Sequence, residues 1–421
     1  MRSSIRTFRN NTGALFAIQI ANYALPLLLI PYLTHTLGVR LYGLIAFGLA
    51  IVQIACIITD YGFSLSAVYQ IAKQQDDRSA LGKIISAVFI SKLGLLVPVI
   101  GLLSIFILFQ EKYADHQAFL WLLLIPIIGQ TLQPTWFFQG IERMAFITLA
   151  TVLSRALYLG LVILWVSAPE DYRWVAIANG FSSIAAAAIG IGMMLKLGYQ
   201  PRWCNWAFLR QTLKESAEFF WSRAAVSTYT AGGAFFLGLV STPLQVAYYS
   251  AAEQLYKGAQ SLFGPLSQAL YPHMAKHHNF PLFFRILKAS IALSLSGLLT
   301  GALLGPRAIQ FIFGPDFLPA YQVLIIFLLT FTITTPSILL GYPFLGALGN
   351  AKAANMSVIW AGIAQIIILH ICYLSNFQQA THIAVTVFIV EVLVLTYRAY
   401  KSKETYKEFI SSPKNSSDTC R

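Results

Sequence analysis

Residues 131–144 read TLQPTWFFQGIERM. A proline and three aromatic residues close a long apolar run, and then a glycine, a glutamate and an arginine arrive within four positions. Neither a helix face nor a strand has this pattern. Apolar runs lie on both sides, near 116–138 and 145–167, each long enough to cross a hydrocarbon core of about 30 Å. The stretch therefore reads as the polar turn between two membrane crossings. Pro134 kinks the helix exit, Trp136, Phe137 and Phe138 sit at the membrane–water interface, and Gly140 makes the tight turn before Glu142 and Arg143 reach water.

The same pattern extends to both ends of the chain. Apolar stretches fall near 12–33, 41–59, 82–109, 116–138, 145–167 and 173–195, and again near 219–240, 249–270, 288–305, 320–342, 353–375 and 380–398. Of the 421 residues 57% are apolar and 11% charged, and the mean hydropathy is +0.66. A soluble protein carries about 25% charged residues, so this chain could not cover itself with a hydrated surface. The fold class that follows is an all-α polytopic membrane protein of about twelve transmembrane helices.

The net charge of +13 on a soluble domain would suggest nucleic acid. Here the basic residues gather in the connections instead. With the N-terminus in the cytoplasm, the inner segments hold Arg2, Arg6, Arg9, Lys73, Arg78, Lys83, Arg143, Lys196, Arg202, Arg210, Lys214, Lys276, Arg285, Lys288 and Lys352, and the basic tail from Arg398. The outer loops hold Arg40, Lys112, Arg173 and Arg307. That bias predicts a multi-pass protein with both termini cytoplasmic and no nucleic-acid partner. The N-terminal apolar run continues to Tyr32 without a small-residue cleavage site, which reads as a retained first span. Residues 60–81 and 196–218 are the longest polar interruptions, and residues 401–421 read as a polar, disordered cytoplasmic tail. The four cysteines are scattered, no spacing suits a metal, and no phosphate-binding GxxxxGK[ST] motif is present. No cofactor is expected, and transport would draw on a gradient of H+ or Na+ or on that of the cargo.

An internal echo divides the chain. LTHTLGVRLYGLIAFGLAIVQ from Leu33 and LVSTPLQVAYYSAAEQLYKGAQ from Leu239 each open with a short turn and end in glutamine. The echo marks two related halves, residues 1–200 and 201–400, each a six-helix lobe; paired lobes around a central cavity are a common transporter plan.

Charges inside spans are the candidate functional groups, because each costs about 2.5–3.5 kcal/mol near a bilayer centre. Lys92, Arg155 and Arg223 have no acidic neighbour at helical spacing, whereas Glu253 and Lys257 stand one turn apart and can pair. Read as cavity cations, Lys92, Arg155, Arg223 and Lys257 favour an anionic cargo, and a guanidinium suits phosphate. Acidic groups are few. Glu253, Glu391 and Asp60 are candidates for ion coupling; Glu391 could carry a proton or pair with Arg398, and Asp60 could accept hydrogen bonds where its helix ends. Pro134 and Gly140 are candidate hinge or turn residues with a structural role.

Five blocks in order resemble bacterial O-antigen and related polysaccharide flippases. They are LPLLLIPYLTHTLGVRLYG at 25–43, ITDYGFSLSAVYQIAK at 58–73, PTWFFQGIERM at 134–144, YYSAAEQLYKGAQSLFGPLSQALYP at 248–272 and LLGYPFLGALGNAKAAN at 339–355. The resemblance implies the multidrug/oligosaccharidyl-lipid/polysaccharide exporter superfamily and a V-shaped cavity between two six-helix lobes. It further implies a transporter rather than an enzyme, which flips undecaprenyl-diphosphate-linked repeat units to the periplasmic leaflet of the bacterial inner membrane during lipopolysaccharide biosynthesis. Partners implied are the lipid-linked glycan, the bilayer, and a polysaccharide polymerase and chain-length proteins. The alternative is a cation-coupled exporter of another small molecule or drug.

Overall fold

The structure, a computed structural model, describes the backbone of residues 2–75 and 77–411, with side chains from residue 28 onward apart from those at 222–223 and 226–231. It divides into two compact units, Met1–Ala224 and Ala225–Arg421. Among the described residues every regular element is helical.

In the first unit, α1 spans Arg2–Asp60, interrupted at Gly38 (φ 72, ψ 174). A straight helix of that length would reach about 90 Å, some three times the hydrocarbon thickness. The break at Gly38 therefore separates the two crossings expected at 12–33 and 41–59, and its left-handed φ is one that glycine adopts without strain. After Tyr61 and Gly62, both at positive φ, α2 runs over Phe63–Lys73. This segment was expected to be a polar loop. Phe63, Ala67 and Ile71 recur every four residues, however, and all three are buried. Next come α3 (Arg78–Phe109), α4 (Gln117–Leu122), α5 (Leu124–Leu132), α6 (Thr135–Gly140), α7 (Met144–Trp165) and α8 (Tyr172–Lys196). The most extensive pairing is α5 on α8, where a Cβ on Gly129 would lie 2.7 Å from the Ile184 nitrogen. Such contact through small residues holds helices together where lipid supplies no hydrophobic drive.

The stretch 131–144 differs from its interfacial reading. The helix breaks at Gln133–Pro134 and resumes as α6, because proline lacks the amide that would continue the ladder. Trp136, Phe137 and Phe138 are 1%, 0% and 3% exposed and form one core with Phe63, Ile71, Ile84 and Met194. They are packing residues and not an aromatic belt. Gly140 is helical, and the positive φ falls at Glu142 (57°). What Gly140 provides is close approach: a Cβ there would stand 2.7 Å from Ile71 Cβ, and its carbonyl accepts from Gln75 Nε2 at 3.0 Å.

From Trp206 to Val240 runs α9, starting well before the span expected at 219–240. The second unit continues with α10 (Pro243–Ser261), α11 (Phe263–His277), α12 (Phe280–Phe313), α13 (Ala320–Leu339), a π turn (Leu340–Gly346), α14 (Ala351–Leu374) and α15 (Ala380–Ser411). The Thr242 side chain caps α10 by accepting from the Gln245 amide, in the segment that echoes the Gly38 turn. The helix α15 carries on to Ser411, so residues 401–411, expected within a disordered tail, are helical; 412–421 lie outside the described residues.

Nine segments among the described residues are long and apolar enough to cross a membrane. The helix α10 is not among them: besides Glu253 and Lys257 it carries three glutamines, three tyrosines and two serines. On α7 and α12, large apolar side chains such as Leu164, Leu299, Leu303 and Phe311 are exposed. Apolar faces on this scale suit hydrocarbon and not water.

Candidate functional site: buried charges in each unit

The last residue of α1 is Asp60, and the left-handed pair Tyr61–Gly62 turns the chain into α2 directly behind it. Ser64 Oγ, in the first turn of α2, donates to Asp60 Oδ2 at 2.8 Å. From α3, Lys92 Nζ lies 3.7 Å from Asp60 Oδ1 and donates to the Thr131 carbonyl at 3.4 Å. Thr59 and Thr131 hydroxyls meet at 3.0 Å, and Cys56 Sγ donates to Gln130 Oε1 at 3.4 Å. The result is one polar cluster joining α1, α3 and α5. Lys92 is 4% exposed, so its charge is already engaged by Asp60. The structure brings Lys92, read from sequence as a cavity cation, and Asp60, read as an ion-coupling candidate, within ion-pair distance, a proximity hidden by the sequence distance between them.

Arg155, on α7, stands differently. It is half-buried, Tyr158 lies close enough on the same helix to interact with it, and it has no hydrogen bond or ion pair among the described residues. Arg223 lies outside the residues whose side chains are described.

In the second unit Lys257 Nζ and Glu253 Oε2 pair at 2.9 Å along α10, the spacing one helical turn allows. Each satisfies the other, which leaves neither as an isolated charge. Glu391, on α15, is 3% exposed and is not within ion-pair distance of Arg398. Both line a cavity of about 150 Å³ together with Gln260, Thr334, Ser337 and Val358. Three hydrogen bonds hold Arg398: Nη1 donates to the Ser337 carbonyl (2.8 Å) and to Ser337 Oγ (3.3 Å), and Nε donates to Ser357 Oγ (2.9 Å). Sequence reading named Arg398 only as a possible partner of Glu391 two turns along one face; what it missed is the serine cradle that holds the guanidinium.

Among the described residues no group of three or more His, Cys, Asp or Glu side chains could hold a metal. Charges fixed inside lipid-facing helices suit the binding and passage of a charged species.

These features define a class: an all-helical, multi-pass membrane carrier. The fold agrees. The chain aligns with "Lipid II flippase MurJ, inward closed conformation" at a TM-score of 0.65 and 14% identity, covering 96% of this chain and 89% of that one. It aligns with an inward-facing multidrug resistance MATE family transporter of the MOP superfamily at 0.63 and 13% identity, covering 90% and 98%. More particularly, the chain belongs to the polysaccharide biosynthesis protein family, whose model matches residues 8–278. It is 30% identical over 276 residues to the "Putative O-antigen transporter" of Escherichia coli (strain K12), covering 65% of this chain and 66% of that protein. A protein of the same description from Shigella dysenteriae is 26% identical over 394 residues, covering 92% and 98%.

Proposed function

We propose that this protein flips undecaprenyl-diphosphate-linked oligosaccharide repeat units, of the O-antigen kind, from the cytoplasmic to the periplasmic leaflet of the bacterial inner membrane. The observation that carries this is the match running along nearly the whole length of a relative described as an O-antigen transporter. Family membership supports the same reading. The protein acts as a transporter: no bond is made or broken, and the polyprenyl tail stays in lipid while the glycan head crosses.

The proposed architecture is twelve crossings in two six-helix lobes, residues 1–200 and 201–400, with both termini cytoplasmic. The division of the chain into two compact units, which falls at 224/225, supports a two-lobe plan, and the concentration of Lys and Arg in alternate connections supports the orientation. A polysaccharide polymerase and chain-length proteins are the proposed downstream partners, since they would consume the delivered unit.

Of the cations suggested by sequence, Lys92 and Lys257 are neutralised by Asp60 and Glu253. Arg155 has no ion pair among the described residues, and its planar fork of donors suits a diphosphate. The test is reconstitution of the full chain in liposomes with a short undecaprenyl-diphosphate glycan, a membrane-impermeant glycosidase reporting glycan exposure. Acceleration over empty liposomes is expected. Arg155→Ala should slow it at least about tenfold, the loss of roughly one charge-assisted hydrogen bond, and Arg155→Lys should slow it less. Absence of acceleration in the unaltered protein would overturn the flippase reading and favour a different exported cargo.

A further inference from the structure

The cavity beside α15 brings together two charged groups. Glu391 and Arg398 stand seven residues apart on one helix face, a rise of about 10.5 Å. Long side chains on a helix lean towards its N-terminus, so the guanidinium reaches back along α15 towards the carboxyl group. It stops short of an ion pair, held by the Ser337 carbonyl and the Ser337 and Ser357 hydroxyls. Among the described residues nothing donates a hydrogen bond to Glu391, and Arg398 Nη2 has no protein acceptor. Between them lies a cavity of about 150 Å³, ample for several water molecules. An ionised carboxylate buried without a donor is strongly disfavoured, whereas a protonated one, or one facing water and a guanidinium, is not.

We propose that Glu391 is the proton-exchanging group of the transport cycle, with Arg398 as its fixed counter-charge across the hydrated cavity. The inference rests on the flippase reading for its role in transport. In the step itself a hydronium from bulk water gives its proton to the Glu391 carboxylate through the cavity water, leaving a neutral carboxylic acid and one water molecule. Release reverses this on the other side.

The groups around the site favour a proton over a metal cation. Arg398 already places a permanent positive charge in the cavity, and Na+ bound there would be repelled by it at close range. Na+ also requires several free oxygen ligands. The Thr334 hydroxyl is already engaged by the Thr330 carbonyl and by Tyr256, and the Gln260 amide nitrogen lies 3.5 Å from the Tyr256 hydroxyl. From α10 the titratable neighbour is Tyr256, while Lys257 and Glu253 satisfy one another. Towards the cavity α13 offers Thr334 and Ser337, and α14 offers Val358 and Ala361, none of which titrates. The π turn adds Tyr342, beside Arg398, and α15 adds Arg398 itself.

The charge state also has a mechanical route outward. A Cβ on Gly341 would meet Arg398 Nη1 at 3.2 Å, and Gly341 (ψ −119) is where the helical run breaks at the start of the π turn. Neutralising Glu391 removes the negative charge that faces the guanidinium across the cavity, next to that break. Bending of α13 relative to the π turn is thereby tied to the proton.

The test uses the full chain in lipid and two readouts. Infrared difference spectra across a pH titration should show the carbonyl stretch of a protonated buried carboxyl group that vanishes as pH rises. It should be absent in Glu391→Gln, retained in Glu253→Gln, and restored with a shifted frequency in Glu391→Asp, which also guards against a variant that fails to fold. In the glycan-exposure assay an imposed proton gradient should speed flipping by the unaltered protein, and in Glu391→Gln the ratio of rates with and without the gradient should fall to one. A titrating band that survives Glu391→Gln overturns the proposal, as does a gradient ratio that variant leaves unchanged. A Glu391 band in a protein that exposes no glycan at all would uphold the proton site while removing the flippase reading.

Discussion

Lys92 shows how far the cost of an intramembrane charge depends on what meets it. A lone ammonium in hydrocarbon is strongly disfavoured, but here Asp60 lies at 3.7 Å and the Thr131 carbonyl at 3.4 Å. Removing one partner strands the other. Lys92→Met should therefore lower stability by about 2–3 kcal/mol, below the range for fully buried pairs because Asp60 retains some solvent contact, and Lys92→Met with Asp60→Asn should recover most of the loss. Thermal unfolding of the two variants in detergent measures this, and equal losses in both would show that the ion pair is not what the single variant breaks. Asp77 offers a second residue-scale prediction, outside the membrane. It caps α3, its Oδ1 accepting from the Ala80 amide at 3.0 Å and the Ser79 amide at 2.8 Å. The Ala80 amide first and the Ser79 amide second hold its carboxyl below the usual carboxylate range. The folded value being depressed, the cap contributes stability above the unfolded value of about 4 and loses it as pH falls through the lowered folded value. Amide exchange at Ser79 and Ala80 should accelerate below that window in the native chain, beyond the intrinsic pH effect, and should show no such step in Asp77→Asn.

At the scale of elements, packing in the first unit depends on where glycine lets backbones touch. A methyl group on Gly129 would collide with the Ile184 nitrogen, an atom of α8 backbone that no rotamer change can move. Gly129→Ala should separate α5 from α8 and cost about 1–3 kcal/mol, while Gly160→Ala, with open space around it, should be neutral or slightly stabilising. Protease resistance of the pair in membranes would distinguish them. The contrast also marks what sequence could reveal. Long apolar runs and their polar punctuation are local properties, so the helical membrane class was legible from composition and period. The Gly38 break and the Thr242 cap fall within the two echoing segments for the same reason. Trp136, Phe137 and Phe138 were misread because an aromatic cluster beside a proline looks the same at a lipid interface as in a core; only the arrival of α2, α3 and α8 decides between them. The charges divide likewise. Glu253–Lys257 was visible one turn apart, whereas Lys92–Asp60 and the serine cradle of Arg398 are tertiary and leave no spacing to read.

For the whole molecule, orientation decides which leaflet the carrier loads from, and parity of crossings decides whether the two units agree. The positive-inside asymmetry assigns Lys83 and Lys276 to the cytoplasm, and Asp115 and Asp316 to the opposite side; all four are exposed. In a background without Cys56, Cys204, Cys372 and Cys420, single cysteines at these positions should separate cleanly. An impermeant thiol reagent applied to spheroplasts should label Asp115→Cys and Asp316→Cys at once, and Lys83→Cys and Lys276→Cys only after permeabilisation. Inversion of all four would place the termini outside and reverse the direction of loading. A split result, with Asp115→Cys labelled and Asp316→Cys protected, would mean an odd number of crossings between them. The error would then lie in α9 or α10, which are not among the nine apolar segments of the described residues. If instead the expected pattern holds, an even number of crossings separates the two outer sites, which α9 and α10 satisfy by both spanning the membrane.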